Sequence, residues 1–525
     1  MLINIIGAKC RGIEALAVRV EVDICSGIGI HLVGLADTAV KESLLRTVTA
    51  LQALGFHVPG KKIVINLAPA DMHKRGGGYD LPIALGIVAA SGQVQMPLIG
   101  DYLIMGELGL DGSVRDIEGA LSFAELARRE GLRGCILPLK SALEATEVAG
   151  LPVYGVRSLG DAVRIVSGED CDGMLARNSP EFRDFQESDA GAGQPRADTV
   201  PYMDFSEIIG QESAKRGMEI AAAGGHNVIL MGAPGAGKSS LAGALAGILP
   251  PMSREEALLT TKIYSVAGKG VGRVGLLRTR PVRSPHYSIS LPALIGGGSG
   301  ENILPGEVSL AHGGVLFLDE FNQMPKSVIE SLRGPLEDRR VTISRLKARI
   351  EYPASFMLVA ASNPCPCGYW GEGERCTCTP SQRMSYISRL SGPILDRIDI
   401  QLFLHPVDAS KLVNRPKSET SFEVAARVAA ARQLQRRRLE GTGKYLNAEM
   451  SSRELEIYCP LSEKCKALLE KIISSAGLSA RAYTRIVKLA RTIADLQNVP
   501  DILPGHIAEA ASYRFLDRRL DTMRF

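Results

Sequence analysis

The sequence has few aromatic residues, few cysteines for its length and little net charge. Aromatic residues make up 5% of 525 positions, so the hydrophobic cores must consist mainly of aliphatic side chains. Ten cysteines are too sparse for a disulfide scaffold, and in a reducing compartment they indicate burial or metal binding. The net charge of +4 provides no global basic field, so any nucleic acid must bind through local patches.

Long apolar runs are also missing. No segment reaches the roughly 18 uninterrupted apolar residues that a membrane-spanning helix needs. Residues 1–7 show no basic stretch leading into an apolar run, so we expect no export signal, no membrane partner and a cytoplasmic location. A composition of 45% hydrophobic and 22% charged residues is typical of a globular chain.

Hydrophobic patterning predicts three folded regions. Strand-like and helical stretches alternate in the first region, apolar runs of buried parallel strands precede each motif in the second, and helical spacing dominates the third. A small, polar stretch without periodicity predicts a linker. The predicted boundaries are 1–170 for an α+β domain, 171–203 for the linker, 204–404 for an α/β core and 405–525 for a helical lid.

A glycine-rich phosphate-binding loop is the strongest motif. It follows a predicted strand and opens a predicted helix, where backbone N–H groups converge on phosphate. The lysine is expected to contact the β- and γ-phosphates of ATP, and the first serine is expected to bind Mg²⁺. The alternative, a glycine-rich turn with a chance lysine, does not explain the complete pattern and its flanks. The predicted nucleotide-binding residues are Gly232, Gly235, Gly237, Lys238, Ser239 and Ser240.

An acidic pair and an asparagine follow the next two apolar runs. Asp319 is expected to face the metal, and Glu320 is expected to orient or deprotonate the attacking water. Asn363 could position the same water. Taken alone, an acidic pair is usually a solvated strand end and an asparagine before proline a turn former. Downstream of a phosphate-binding loop, they predict the second half of a hydrolytic site.

Four cysteines immediately after Asn363 form a Cys-x-Cys-x8-Cys-x-Cys pattern. Four thiolates on one short loop could close a tetrahedral zinc site, although the one-residue spacing is tighter than usual. Two disulfides and free thiols are the alternatives. The candidate ligands are Cys365, Cys367, Cys376 and Cys378.

Basic residues gather in a predicted β-hairpin between the acidic pair and Asn363. Arg345, Lys347 and Arg349 lie near its tip, where they could bind a DNA backbone. A run of charge is more often just a solvated face, and charge alone does not identify a ligand.

These motifs together resemble one family, the ComM-type (YifB, magnesium-chelatase-like) AAA+ ATPases. The matching segments follow one another in the same order and span nearly the whole chain. They are Arg280-Pro-Val-Arg-Ser-Pro-His286, Gly306-Glu-Val-Ser-Leu-Ala-His312 through Glu320, Asn363-Pro-Cys-Pro-Cys-Gly368, Ser391-Gly-Pro-Ile-Leu-Asp-Arg-Ile-Asp399 and Leu478-Ser-Ala-Arg-Ala-Tyr483.

The resemblance implies an α/β AAA+ core with a parallel sheet and a helical lid. It further implies that Asn363 is the sensor-1 residue, Arg397 an arginine finger for a neighbouring subunit and Arg481 the sensor-2 arginine. The resemblance also implies that the protein is a homo-hexameric, nucleoid-associated DNA helicase that promotes branch migration. Single-stranded and branched DNA are then the expected substrates, and recombination proteins are the candidate partners. The implied process is natural transformation, in which homologous recombination integrates the incoming DNA.

The first domain resembles the proteolytic domain of Lon in layout, a fold of the ribosomal S5 domain 2 type. Residues 76–84 contain no serine and 120–127 contain no lysine, so a Ser-Lys nucleophile cannot be assembled there. We therefore interpret this domain as a structural or DNA-guiding collar. A magnesium-chelatase-like ATPase that remodels a protein partner remains the alternative for the whole chain.

Overall fold

The computed structural model describes residues 2–34, 38–70, 72–74, 76–189, 203–270, 274–299, 302–345, 348–390, 392–407, 410, 414 and 418–517. Among these residues, none of the helices combines the length and the apolarity that a membrane crossing requires.

A seven-stranded mixed sheet forms the first domain, in the order β3-β4-β2-β1-β5-β8-β9. Along β2, the fully buried Val18, Val20 and Val22 alternate with more exposed residues, as one face of a half-buried strand requires. The strands of this domain, including the small pair β6 and β7, are β1 Ile3–Arg11, β2 Glu14–Cys25, β3 Gly29–Val33, β4 Lys62–Ala68, β5 Tyr102–Ile104, β6 Glu107–Leu108, β7 Val114–Arg115, β8 Gly134–Pro138 and β9 Val153–Val156.

The helices of the first domain extend beyond its predicted boundary. They are α1 Thr38–Ala53, α2 Asp80–Ala90, α3 Ala120–Arg129, α4 Leu139–Glu144, α5 Leu159–Val166 and α6 Pro180–Asp189. Ala176 is fully buried in the core of this domain, and Arg157 donates to Glu181 of α6 at 2.6 Å. Residues 171–184, which we predict as part of the linker, are thus folded against the first domain because buried contacts there outweigh their polar composition. Residues 190–202 lie outside the described residues.

A five-stranded parallel sheet forms the second region, in the order β11-β14-β17-β10-β18. Every residue of β10, β14 and β17 is buried, which confirms the expectation of strands covered on both faces. The strands are β10 Val228–Gly232, β11 Val282–Arg283, β14 Val315–Leu318, β17 Met357–Ser362 and β18 Ile400–Leu404. Two antiparallel hairpins are added to it, formed by β12 Gly296–Ser299 with β13 Asn302–Pro305 and by β15 Arg340–Arg345 with β16 Ala348–Pro353.

Helices flank the parallel sheet and then form the lid. Capping boxes set several helix starts, for example Ser253 with Glu256 at α9. The helices of the core are α7 Glu212–Gly224, α8 Lys238–Ile248, α9 Arg254–Val266, α10 Leu291–Ile295, α11 Glu307–Leu310, α12 Lys326–Ser331, α13 Arg333–Asp338, α14 Pro380–Ile387 and α15 Gly392–Leu395. Those of the lid are α16 Ser421–Arg438, α17 Ser452–Tyr458, α18 Glu463–Ala476, α19 Ala480–Leu496 and α20 Pro504–Ser512.

The first domain contacts the core through α9. Lys262 forms ion pairs with Glu125 at 2.7 Å and with Glu14 at 3.2 Å. Beside them, the buried Glu144 accepts a hydrogen bond from the Ser265 hydroxyl at 2.5 Å, while its second carboxylate oxygen, Oε2, has no hydrogen-bond partner among the described residues. Burial raises the pKa of Glu144 to about 7.

This buried carboxyl group makes the stability of the domain contact depend on pH. Because the folded protein raises the pKa of Glu144 to about 7, its contribution is fully present below the pKa of an unfolded glutamate and is lost as the pH rises through 7. We expect the free energy of unfolding to fall by about 2 kcal/mol from this group between pH 5.5 and pH 8. Thermal or urea unfolding of parent protein and of Glu144→Gln across this range measures the effect. Glu144→Gln should flatten the dependence, whereas the exposed control Glu130→Gln should leave it intact; equal slopes in all three proteins would refute the assignment.

Candidate nucleotide site

The phosphate-binding loop connects the end of β10 to the start of α8. Gly235 and Gly237 have φ values of 82° and 91°, a left-handed conformation that glycine adopts at little cost. The tight loop between β10 and α8 therefore depends on glycine at these two positions. Ser239 and Ser240 lie in the first turn of α8, at the helix N-terminus, where negative charge is favoured.

Lys238 folds back over the loop. Its Nζ donates to the carbonyl oxygens of Gly232 at 2.7 Å and Ala233 at 3.0 Å, and to the side-chain oxygen of Asn363 at 3.1 Å. Burial lowers the pKa of Lys238, and the nearby Asp319 and Glu320 oppose that shift. The ammonium group thus lies where loop, acidic pair and Asn363 meet.

The acidic pair at the end of β14 faces the same place. The Ser239 hydroxyl donates to Asp319 Oδ2 at 3.3 Å, so the two oxygen groups expected to bind Mg²⁺ are adjacent. Glu320 has a φ of 49°, a left-handed conformation that is unfavourable for a non-glycine residue and often occurs at functional sites. Its backbone N–H donates to Asp319 Oδ1 at 2.8 Å, which fixes the carboxylate that would face the metal.

Sheet order explains why these distant sequence segments converge. The strands β14, β17 and β10 are neighbours and run parallel, so Asp319, Asn363 and the loop all follow the carboxyl ends of adjacent strands. This edge is where open parallel sheets bind their ligands.

Among the described residues, neither Arg397 nor Arg481 contacts Lys238. Arg397 is 12% exposed and pairs with Glu337 of α13, and its Nη1 donates to the carbonyl oxygen of Pro393 at 2.7 Å. Arg481, at the start of α19, pairs with Asp396 at 2.8 Å. Arg481 therefore pairs with Asp396, the residue immediately before Arg397 in the chain.

Sequence reasoning missed a second ion pair between the lid and this segment. Arg485, one turn after Arg481, pairs with the buried Asp399 at 2.7 Å, and Asp399 also accepts from the backbone N–H of Asn227 just before β10. Burial alone would raise the pKa of Asp399, but Arg485 and the neighbouring His226 hold it well below its usual range. The signal was present as two aspartates three apart facing two arginines four apart on a helix.

The four candidate zinc ligands come together. Their sulfur atoms all lie within 4.8 Å of one another, and the Sγ atom of Cys376 is 3.8 Å from that of Cys365 and 3.7 Å from that of Cys367. The predicted clustering on one loop is therefore present in the structure.

The predicted basic hairpin is present as β15 and β16. Its inner face is buried through Val341, Ile343 and Tyr352, while Arg345 and Arg349 are exposed near the turn. Lys347 lies outside the described residues. The base of the hairpin is closed by the Ala354 N–H, which donates to the carbonyl oxygen of Arg339 at 2.9 Å.

Comparison with known proteins reveals matches along almost the whole chain. Sequence profiles described as magnesium chelatase, subunit ChlI, as subunit ChlI of Mg-chelatase and as magnesium chelatase, subunit ChlI C-terminal match residues 204–412, 20–141 and 418–514, respectively. Competence protein ComM of Haemophilus influenzae is 40% identical over 514 residues, which cover 98% of this chain and 97% of that protein. The chain belongs to the ComM/YifB-type, magnesium-chelatase-like family.

Two further relatives differ in how much of the chain they match. YifB of Escherichia coli K12 is 41% identical over 517 residues, 97% of this chain and 96% of that protein. The magnesium-chelatase 38 kDa subunit of Rhodobacter capsulatus is 28% identical over 188 residues, only 32% of this chain and 52% of that protein. Family membership confirms the predicted α/β fold with a P-loop core, and it indicates an AAA+ ATPase that uses ATP and Mg²⁺.

Proposed function

We propose that this protein is an ATP-driven motor that moves branched DNA. The observation that carries the proposal is the position of the basic hairpin, which lies in the chain between Glu320, just after β14, and Asn363, just after β17. Full-length similarity to competence protein ComM supports a role in the integration of transforming DNA during homologous recombination.

The residues of the site have complementary roles in ATP hydrolysis. Lys238 and the N–H groups of the loop bind the phosphates, while Ser239 and Asp319 would hold Mg²⁺, whose charge stabilises the transferring phosphoryl group. Glu320 accepts a proton from the attacking water, and the Asn363 amide orients that water. The contact between Lys238 Nζ and Asn363 Oδ1 at 3.1 Å supports a shared site for these two residues.

The hairpin offers a path from nucleotide to DNA. Its base lies just before β17, whose end carries Asn363, and Arg339 at this base pairs with Glu449 of the lid at 3.1 Å. A change at the γ-phosphate that moves the lid or β17 would therefore displace the basic tip. Contacts of the tip to phosphates carry no base information, as a motor on arbitrary sequence requires.

Assembly into a ring would complete the site. In this proposal, Arg397 leaves Glu337 and reaches the nucleotide of a neighbouring subunit, and Arg481 exchanges Asp396 for the phosphates of its own subunit. A cation supplied in trans couples hydrolysis to assembly. A homo-hexamer is the arrangement that the family resemblance implies.

A second candidate is a chelatase-like ATPase that remodels a protein partner. The profiles named for magnesium chelatase subunit ChlI favour it. The identity to a magnesium chelatase subunit covers 32% of this chain, whereas that to ComM covers 98%. The DNA motor is therefore the better supported proposal.

Replacing the two described basic residues of the tip tests the DNA motor. Arg345→Ala combined with Arg349→Ala should weaken binding to single-stranded and branched DNA equally for all sequences. The slope of log affinity against log salt should fall by roughly 0.7 to 0.9 per phosphate contact removed. Fluorescence anisotropy over a salt series measures both effects, and junction movement should fail while DNA-independent ATPase remains.

The matched control removes two exposed lysines of α18 in the lid, Lys464→Ala with Lys471→Ala. This variant loses the same formal charge, so a general electrostatic effect would lower DNA affinity in both proteins alike. If the hairpin variant moves branched DNA at the parent rate, the hairpin is a solvated charged loop, and the remodelling ATPase becomes the better proposal.

A further inference from the structure

The cysteine cluster has the dimensions of a zinc site. Tetrahedral bonds of about 2.3 Å from zinc to thiolate place sulfur atoms about 3.8 Å apart. The distances from the Cys376 sulfur to those of Cys365 and Cys367 are 3.8 and 3.7 Å, and Cys365 to Cys367 is 3.3 Å. Four sulfur donors without a competing carboxylate or imidazole form the closed, structural type of zinc site.

Apart from the cysteines, the loop is held mainly by local contacts, such as Arg375 with Glu372 at 2.9 Å and with the Tyr369 ring at 4.4 Å. Between β17 and α14, residues 363–379 contain one short 3-10 turn, Gly373–Arg375. Cys365 is fully buried, but the other three cysteines are only partly buried. A segment of this kind gains little from hydrophobic burial, so a metal bound to both of its halves would be its main cross-link.

The cysteine loop meets the candidate nucleotide site at two points. Asn363, which contacts Lys238, precedes Cys365 by two residues. The cysteine loop also packs on the phosphate-binding loop through Gly368. A Cβ atom added to Gly368 would lie 2.8 Å from Pro234 Cδ. Gly368 has a φ of 87°, so both its conformation and this close approach require glycine.

We infer that Cys365, Cys367, Cys376 and Cys378 bind one Zn²⁺ that holds Asn363 in position beside the phosphate-binding loop for ATP hydrolysis. The metal has a positioning role and stays outside the reaction. The coupling rests on the proposed ATPase activity, whereas metal binding itself does not. Loss of the metal should therefore leave ATP binding largely intact and lower the turnover number, because Asn363 acts on the water and the Lys238 side chain remains.

The test compares Cys376→Ser with Cys376→His and with Cys25→Ser, a control at a cysteine of the first domain. Elemental analysis of freshly purified protein should find about one zinc per chain in the parent, in Cys25→Ser and in Cys376→His, since histidine is also a zinc ligand. Cys376→Ser should lose the metal. Its kcat for ATP should fall at least about tenfold, with KM changed by less than about threefold, and Cys376→His should recover most of the turnover.

Each outcome bears on a separate claim. A metal-free parent with four titratable thiols at these positions overturns the zinc site. Zinc in the parent together with full turnover in metal-free Cys376→Ser overturns the coupling to ATP hydrolysis. A zinc-loaded parent that does not hydrolyse ATP, alone or with DNA, overturns the proposed function and with it the coupling, while the metal site stands.

Discussion

Lys238→Ala is expected to abolish ATP binding, whereas Glu320→Gln is expected to bind ATP and fail to hydrolyse it. Lys238 lies within the phosphate-binding loop, 2.7 Å from the carbonyl oxygen of Gly232, and in the proposed site it contacts phosphate already in the ground state. In the proposed site Glu320 acts only on the attacking water, so its loss is expected to affect the transition state alone. Hydrolysis in Glu320→Gln should be lower by about 10² to 10⁴.

Binding of a fluorescent ATP analogue and steady-state phosphate release separate the two effects. The control is Lys326→Ala, which removes an exposed lysine from α12 without touching the loop. An equal loss of ATP affinity in Lys238→Ala and Glu320→Gln would contradict the assigned roles, because the two side chains would then serve the same step.

Arg397→Ala is expected to stop hydrolysis in a uniform ring and to be rescued in a mixed one. An arginine supplied in trans contributes about 10³ to 10⁵ in rate. Rings mixed from Arg397→Ala and Lys238→Ala subunits should recover partial ATPase activity, since some interfaces then pair an intact loop with an intact Arg397. Phosphate release by verified mixed oligomers, compared with each variant alone, measures the recovery.

The pair with Glu337 supplies the control for this experiment. Within one chain, Arg397 pairs with Glu337, which is 65% exposed. If Arg397 serves only to hold α13 in place, Glu337→Gln should be as damaging as Arg397→Ala and mixed rings should not recover. If Arg397 serves the neighbouring site, Glu337→Gln should retain most of the hydrolysis.

The convergence of the glycine-rich loop, the acidic pair and Asn363 could be predicted from the sequence because its parts are local motifs. The shape of a loop between a strand and a helix is indicated by its closely spaced glycines, here Gly232, Gly235 and Gly237. Parallel strands bring Asp319 and Asn363 to one edge once the sheet is assumed. The hairpin was predictable for a similar reason, since two alternating stretches flank a short turn. Family membership is consistent with these interpretations, but the individual site residues stay predictions.

Partners set by tertiary packing could not be predicted. The spacing of the two aspartates and the two arginines was visible in the sequence. Their pairing, of Arg481 with Asp396 and of Arg485 with Asp399, depends on how the lid docks on the core, which that spacing does not determine. Polar composition after residue 170 suggested a linker, although Pro180 with Glu181 is a recognisable helix start. The burial of Glu144 against Ser265 arises only when two domains meet.

ATPase activity coupled to movement of a branched DNA junction is the most direct test of the central claim. The assay follows phosphate release and strand exchange together, using parent protein and Glu320→Gln with single-stranded, duplex and four-way branched DNA. We expect single-stranded or branched DNA to raise the parent ATPase rate, and the junction to move only with hydrolysable ATP and the parent protein. An ATPase rate that no DNA changes, together with a stationary junction, would contradict the DNA motor.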